Sequence, residues 1–140
     1  MRTILLLGGS RQQVVAIEKA KALGYRTVLC DYLPDNPGQY VADAFYLVST
    51  TDREAVLDVA KHEQVEGVLA YASDPAAPTA AFVAEALGLP TNPLRSVEIL
   101  SQKHLFRKHL REAGLPCPNS ASFTVASSAE QVVNLSTGFA

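Results

Sequence analysis

The sequence predicts an open α/β sheet of parallel strands covered on both faces, and three observations carry that prediction. Short apolar runs at residues 4–7 and 26–31 read as strands buried on both sides. Between the apolar runs lie stretches whose apolar positions recur at helical spacing and end at glycine. The two kinds of segment alternate over residues 1–93 as β-α-β-loop-β-α-β-α, the order of parallel strands joined by crossover helices.

Taken in order, Ile4-Leu5-Leu6-Leu7 is the first strand, closed by the turn Gly8-Gly9-Ser10. From 11 to 23 the residues Val14, Val15, Ala16, Ile17, Ala20 and Leu23 share one side of a helix, and Gly24 is its natural stop. Residues 26–31 form the second strand, rich in branched side chains, with Asp31 at its carboxyl end; the βαβ unit so made is expected to be right-handed. Pro34, Asp35, Asn36, Pro37 and Gly38 make 32–40 a loop. A third strand follows at 44–48, and Thr50-Thr51-Asp52 offers an N-cap for a helix over 53–63. The fourth strand is 67–71. Ser73 or Asp74 is then expected to cap a helix with Pro75 at its first position, running to Leu87 and ended by Gly88.

After residue 93 the pattern changes, because 94–100 and 102–113 read as consecutive helices with no strand between them, the second markedly basic. Gly114-Leu115-Pro116-Cys117-Pro118 breaks the chain, 122–126 reads as a strand, and Ser127-Ser128-Ala129-Glu130 as the start of a helix to about Leu135. The expected organisation is a domain over 1–93, a helical linker over 94–118, and the start of a truncated further domain over 119–140.

Composition narrows the function. With 48% apolar residues, a chain of 140 can bury a core without disulfides or metal. A formal net charge of −2 supplies no broad cationic field, which argues against nucleic acid as a partner. Cys30 and Cys117 are too far apart and too few for a disulfide framework or a metal site. The first apolar run is too short for a signal peptide or a bilayer span, so a cytoplasmic location without membrane contact is the expectation.

Ligands of open parallel sheets lie outside the carboxyl ends of the strands, where strand order reverses. That geometry selects Gly8, Gly9 and Ser10 after the first strand, Asp31 after the second, and Ser73 and Asp74 after the fourth as candidate substrate-binding residues. The glycines let an anionic group approach backbone N–H groups at a helix start, although any tight βα turn also favours glycine. Asp74 could hold a cationic or amine-bearing group. A dinucleotide fingerprint would need glycine where Ser10 and Gln13 stand, and Gln13 would crowd the helix–strand contact; Asp31 alone matches the ribose-binding position. His62, His104 and His109 are scattered over helix surfaces, and no catalytic constellation is visible. A phosphoacceptor receiver domain would need an acidic pair after its first strand, where this chain has Gly8-Gly9.

The order of pieces resembles the pre-ATP-grasp domain of the ATP-grasp superfamily of ligases: Ile4-Leu5-Leu6-Leu7-Gly8-Gly9-Ser10, Ala22-Leu23-Gly24-Tyr25, Asp31, Ala42-Asp43, and Ala86-Leu87-Gly88-Leu89-Pro90-Thr91. The segment from Gln102-Lys103-His104 through Leu110-Arg111-Glu112-Ala113-Gly114-Leu115-Pro116-Cys117-Pro118 is similar to the family's link between its first domain and its ATP-binding domain. The resemblance implies a Rossmann-like fold, followed by a helical linker, that binds the small molecule to be joined. In such ligases a carboxylate is activated with ATP and Mg²⁺ to an acylphosphate for attack by an amine or other nucleophile. By position, Gly8, Gly9, Ser10, Asp31, Ser73 and Asp74 would face the substrate, and Lys103 would reach the ATP phosphates. The resemblance also admits a homodimer. The Mg²⁺-binding acids and phosphate lid of the family would follow Ala140, so the chain alone is expected to fold without catalysing and to need no cofactor of its own. The alternative is a self-contained nucleotide- or NAD-binding module.

Overall fold

A computed structural model describes residues 1–122. Four strands form one all-parallel sheet in the order β3-β2-β1-β4, where β1 is Thr3–Leu7, β2 Arg26–Asp31, β3 Ala44–Leu47 and β4 Gly67–Leu69. The helices are α1 (Val14–Ala22), α2 (Arg53–His62), α3 (Ala77–Ala86), α4 (Leu94–Ser101) and α5 (Lys103–Glu112). The α/β class and the parallel sheet are those the sequence predicts.

Alternation along the strands sorts the core into two layers, since successive side chains point to opposite faces. Leu5 and Leu7 of β1, with Val28 and Cys30 of β2, pack against Val56, Val59 and Ala60 of α2 and Val83 of α3. Leu6 and Leu29, one residue out of phase, face the other way and meet Ile17 of α1. Continuous apolar runs in β1 and β2 thus reflect burial on both faces.

Helix starts obey the cap logic with two exceptions among the first three helices. Asp52 caps α2, its Oδ1 accepting the Ala55 N–H at 3.1 Å. The chain leaves α1 and α3 through Gly24 and Gly88 at positive φ; it leaves α2 through Gln64, also at positive φ (51°). The first exception is α1, which begins at Val14 rather than at residue 11: the Gln13 and Val14 N–H groups both donate to the Ser10 carbonyl, and 11–13 form a turn. The second is α3, which begins at Ala77. Neither Ser73 nor Asp74 caps it through a side chain, and the proline in its first turn is Pro78 rather than Pro75. β4 is also shorter than the stretch 67–71 read from the sequence, because the chain turns through Ala72 in the left-handed region (φ 51°).

Helix α4 belongs to the same compact unit as the sheet, Met1–Ser101. Glu85 of α3 accepts the Leu94 N–H at 2.7 Å, and Arg53 of α2 pairs with Glu98 at 2.7 Å. Helix α5 starts a second unit at Gln102. The chain leaves it through Gly114 at positive φ, with the Leu115 N–H returning to the Leu110 carbonyl. The strand at 122–126 and the helix to Leu135 lie outside the described residues.

Candidate functional site

β1 lies between β2 and β4, while the chain visits β2 and β3 before returning to β4, so strand order reverses between β1 and β4. The crevice outside the carboxyl ends of these two strands is where an open parallel sheet places its ligand. Two loops meet there, 8–13 after β1 and 70–76 after β4. The loop 32–40 after β2 borders the first of them.

The Gly8-Gly9-Ser10 segment of the β1 turn is engaged by the protein itself. The Gly8 N–H donates to the Cys30 carbonyl at 2.9 Å. Gly9 N–H donates to Asp31 Oδ2 at 2.7 Å, and Ser10 N–H to Gln13 Oε1 at 3.0 Å. Ser10 Oγ also donates to Gln13 Oε1, at 2.7 Å. The open anion cradle that the glycines suggested is therefore replaced by an internal network.

Asp31 is 5% exposed, and its second oxygen, Oδ1, accepts the Leu33 N–H at 2.8 Å. It thus ties the β1 turn to the first residues of the loop after β2. Its neighbour Cys30 is completely buried, and burial, with the Asp31 carboxylate adding to it, pushes the thiol up to about 12. That thiol is no nucleophile.

Loop 32–40 is built on Asn36, which is 1% exposed. Its Nδ2 donates to the Leu33 carbonyl at 2.8 Å, and its Oδ1 accepts the Gln39 N–H at 3.0 Å, capping a 3-10 turn at Pro37–Tyr40. Gly38 N–H then donates to the Gly9 carbonyl at 2.8 Å. The backbones approach so closely that a Cβ on Gly38 would sit 2.7 Å from Gly9 Cα. The sequence marked this loop as a turn, but the role of Asn36 in clamping it to the β1 turn has no local signature.

Across the crevice, Gln13 Nε2 donates to the Tyr71 carbonyl at 3.1 Å and to the Leu7 carbonyl at 3.4 Å. One buried carboxamide thus joins the ends of β1 and β4. Ala72 follows Tyr71 in a left-handed conformation, which costs a non-glycine residue of the order of 1–3 kcal/mol and must be over-determined by its surroundings. Ser73 and Asp74 come next on the rim, their side chains not spent on capping α3. The structure therefore gathers Gly8, Gly9, Ser10 and Asp31 into one bonded cluster, joined through Gln13 to the loop that carries Ser73 and Asp74.

Lys103 belongs to the second unit. With His104, Arg107, Lys108, Arg111 and Ser120 it lines an open groove of about 380 Å³ along α5. Arg111 donates to Ser120 Oγ at 3.2 Å. Among the described residues, no group of three or more His, Cys, Asp or Glu side chains is placed to hold a metal ion.

Residues 17–91 match the family model of the ATP-grasp N-terminal domain. A formate-dependent phosphoribosylglycinamide formyltransferase from Synechococcus sp. (strain CC9605) is 38% identical over 69 residues, 49% of this chain and 17% of that protein. Among solved structures, phosphoribosylglycinamide synthetase from Anaerococcus prevotii shares the fold at a TM-score of 0.76 and 15% identity, over 96% of this chain and 34% of that one. N5-carboxyaminoimidazole synthetase from Staphylococcus aureus, complexed with ADP, does so at 0.70 and 19%, over 95% and 35%. The chain spans less than a fifth of the curated relative and about a third of these two structures. With more than half of its length matched by the family model, this chain belongs to the ATP-grasp N-terminal domain family.

Proposed function

We propose that the chain is the substrate-binding domain of an ATP-dependent ligase that activates a carboxylate as an acylphosphate for attack by an amine or other nucleophile. The family match over residues 17–91 carries this reading, because it covers β2, β3 and β4 with α2 and α3, and with them the loops 32–40 and 70–76 beside the crevice; β1 and its turn precede it. In this reading Gly8, Gly9, Ser10 and Asp31 wall the substrate mouth, and Ser73 and Asp74 contact the substrate from the β4 side. Rigid loops suit that task, since orienting a reactant reduces the entropy the reaction must overcome.

Lys103 is proposed to contact the phosphates of ATP. Its support is the basic groove along α5, where Arg107 and Arg111 follow it at one-turn spacing and Glu112, the one acid of α5, lies at the far end beside Lys108. ATP and Mg²⁺ are consumed and bound by the whole ligase; this 140-residue chain is proposed to bind without turning over. Domain limits at 1–93, 94–118 and 119–140, a cytoplasmic location, self-association and a small-molecule partner rather than nucleic acid or membrane belong to the same proposal.

The test is thermal unfolding of the chain with ATP–Mg²⁺, NAD, amino acids and small carboxylates. A ligand at about 100 times its Kd adds roughly 2.7 kcal/mol of stability. Stabilisation by an amine or a carboxylate is the expected result. Saturable stabilisation by NAD, with none by amines or acids, would replace the ligase reading with that of a dinucleotide-binding module.

A further inference from the structure

Both glycines of the β1 turn are accounted for inside the protein. A Cβ on Gly8 would overlap the carboxamide of Gln13, and a Cβ on Gly9 would overlap Asn36. The positive φ of Gly8, 103°, thus makes room for a side chain of the same chain rather than for a ligand.

Gln13 is 6% exposed and spends its whole hydrogen-bonding capacity within the crevice. Its Oε1 accepts from Ser10 N and Ser10 Oγ, and its Nε2 donates to the Leu7 and Tyr71 carbonyls. A phosphate held at a βα turn needs free N–H donors there. The N–H groups of Gly8, Gly9 and Ser10 are committed to Cys30, Asp31 and Gln13, and two of those three acceptors are side chains locked by further bonds; among the described residues the Arg11 and Gln12 N–H groups, further along the loop, carry no such bond. Entry of a phosphate would have to displace the Gln13 carboxamide, stripping partners from two carbonyls, and would bring a second negative charge against the buried Asp31 carboxylate.

We infer that Gln13 is a specificity-determining residue that closes the Gly8–Ser10 segment of the β1 turn to phosphate groups, so that the substrate of this crevice is recognised at that segment without one. The inference rests on the reading of the crevice as the substrate mouth. The group that lies against Gly8–Ser10 is then neutral or cationic, such as a hydroxyl or an amine.

The experiment is a titration of the ¹⁵N-labelled chain with inorganic phosphate, ribose 5-phosphate and NAD, following the Gly9 and Ser10 amide resonances. In the wild-type chain these two signals stay in place. In Gln13→Gly and Gln13→Ala, the Ser10 amide loses its acceptor and moves saturably with phosphate. Saturable movement in the wild type overturns the inference, and so does silence in either variant whose spectrum shows it to be folded. Should both variants unfold, the wild-type titration decides alone, in either direction. Failure of the ligase reading would appear elsewhere, as absence of any response to amines and carboxylates, and would leave the phosphate titration unchanged.

Discussion

Asp43 sits at the amino end of the sheet, far along the strands from the crevice, and gathers three donors. Its Oδ2 accepts the Thr27 N–H and the Thr27 hydroxyl, both at 2.8 Å, and its Oδ1 accepts Lys21 Nζ at 2.7 Å. The Lys21 hydrogen bond, followed by the Thr27 amide, holds this carboxyl down to about 2 from an ordinary 3.8. A folded-state value below the unfolded one means that the stabilisation is complete above about pH 4 and is lost as pH falls towards 2. Asp43→Asn should therefore flatten the acid limb of stability between those values, as read by urea unfolding at successive pH. Glu63, lowered first by its hydrogen bond to Arg26 and then by that to Tyr46, acts in the same sense and leaves a residual slope. At the other end of the sheet, Gly9→Ala forces a Cβ into Asn36 and Leu29, and over-packing of this kind costs about 1–3 kcal/mol. Chemical denaturation should show a loss in that range; an unchanged midpoint would mean that loop 32–40 is not clamped as described.

Among the elements, the helix ends are the most sequence-determined, and α2 is the one that departs from the glycine rule. Gln64 holds the left-handed position that Gly24 and Gly88 hold after α1 and α3, with the Val65 N–H returning to the Ala60 carbonyl at 3.1 Å. Gln64→Gly should raise stability by roughly 1 kcal/mol, since a side chain in this conformation costs of that order and glycine does not. Thermal unfolding checks it. The β-layer was legible because β1 and β2 are buried on both faces, which leaves a continuous apolar signature. β4 was overextended from the sequence because Ala70 and Tyr71 look like strand residues, whereas the Gln13 bond to the Tyr71 carbonyl and the left-handed Ala72 bend the chain away. The start of α1 was misread for a related reason, as Gln13 turns into the crevice and its polar side chain gives no sign of burial.

At the level of the whole molecule, α4 is joined to α3 through Glu85 and to α2 through Arg53, within the compact unit Met1–Ser101. A chain ending at residue 101 should unfold cooperatively with undiminished stability, while one ending at 93 should lose roughly 1–2 kcal/mol with its packed helix and ion pair. Unfolding curves of the two truncations distinguish them. The buried Cys30 offers a second global readout. A thiol reagent should label Cys117 quickly and Cys30 only as the core opens, in keeping with a thiol pushed up to about 12 inside a closed layer. Fast labelling of both would mean that the first core layer is not closed.

The amino-acid sequence by itself determined the α/β class, the order of strands and helices, most cap positions and the family, because these depend on local periodicity, on turn chemistry and on motifs with fixed spacing. Only the tertiary structure decided what the β1 turn does. Gly8, Gly9 and Ser10 read as an anion cradle on sequence alone, and of the residues that fill it Gln13 comes from the same loop, while Asp31 and Asn36 come from the end of β2 and the loop after it, which meet the turn only when parallel pairing brings β1 and β2 into register. Hydrogen-bond satisfaction between distant segments leaves no periodic trace in a sequence, so whether a turn amide is free or already occupied is settled by the packing of the whole sheet.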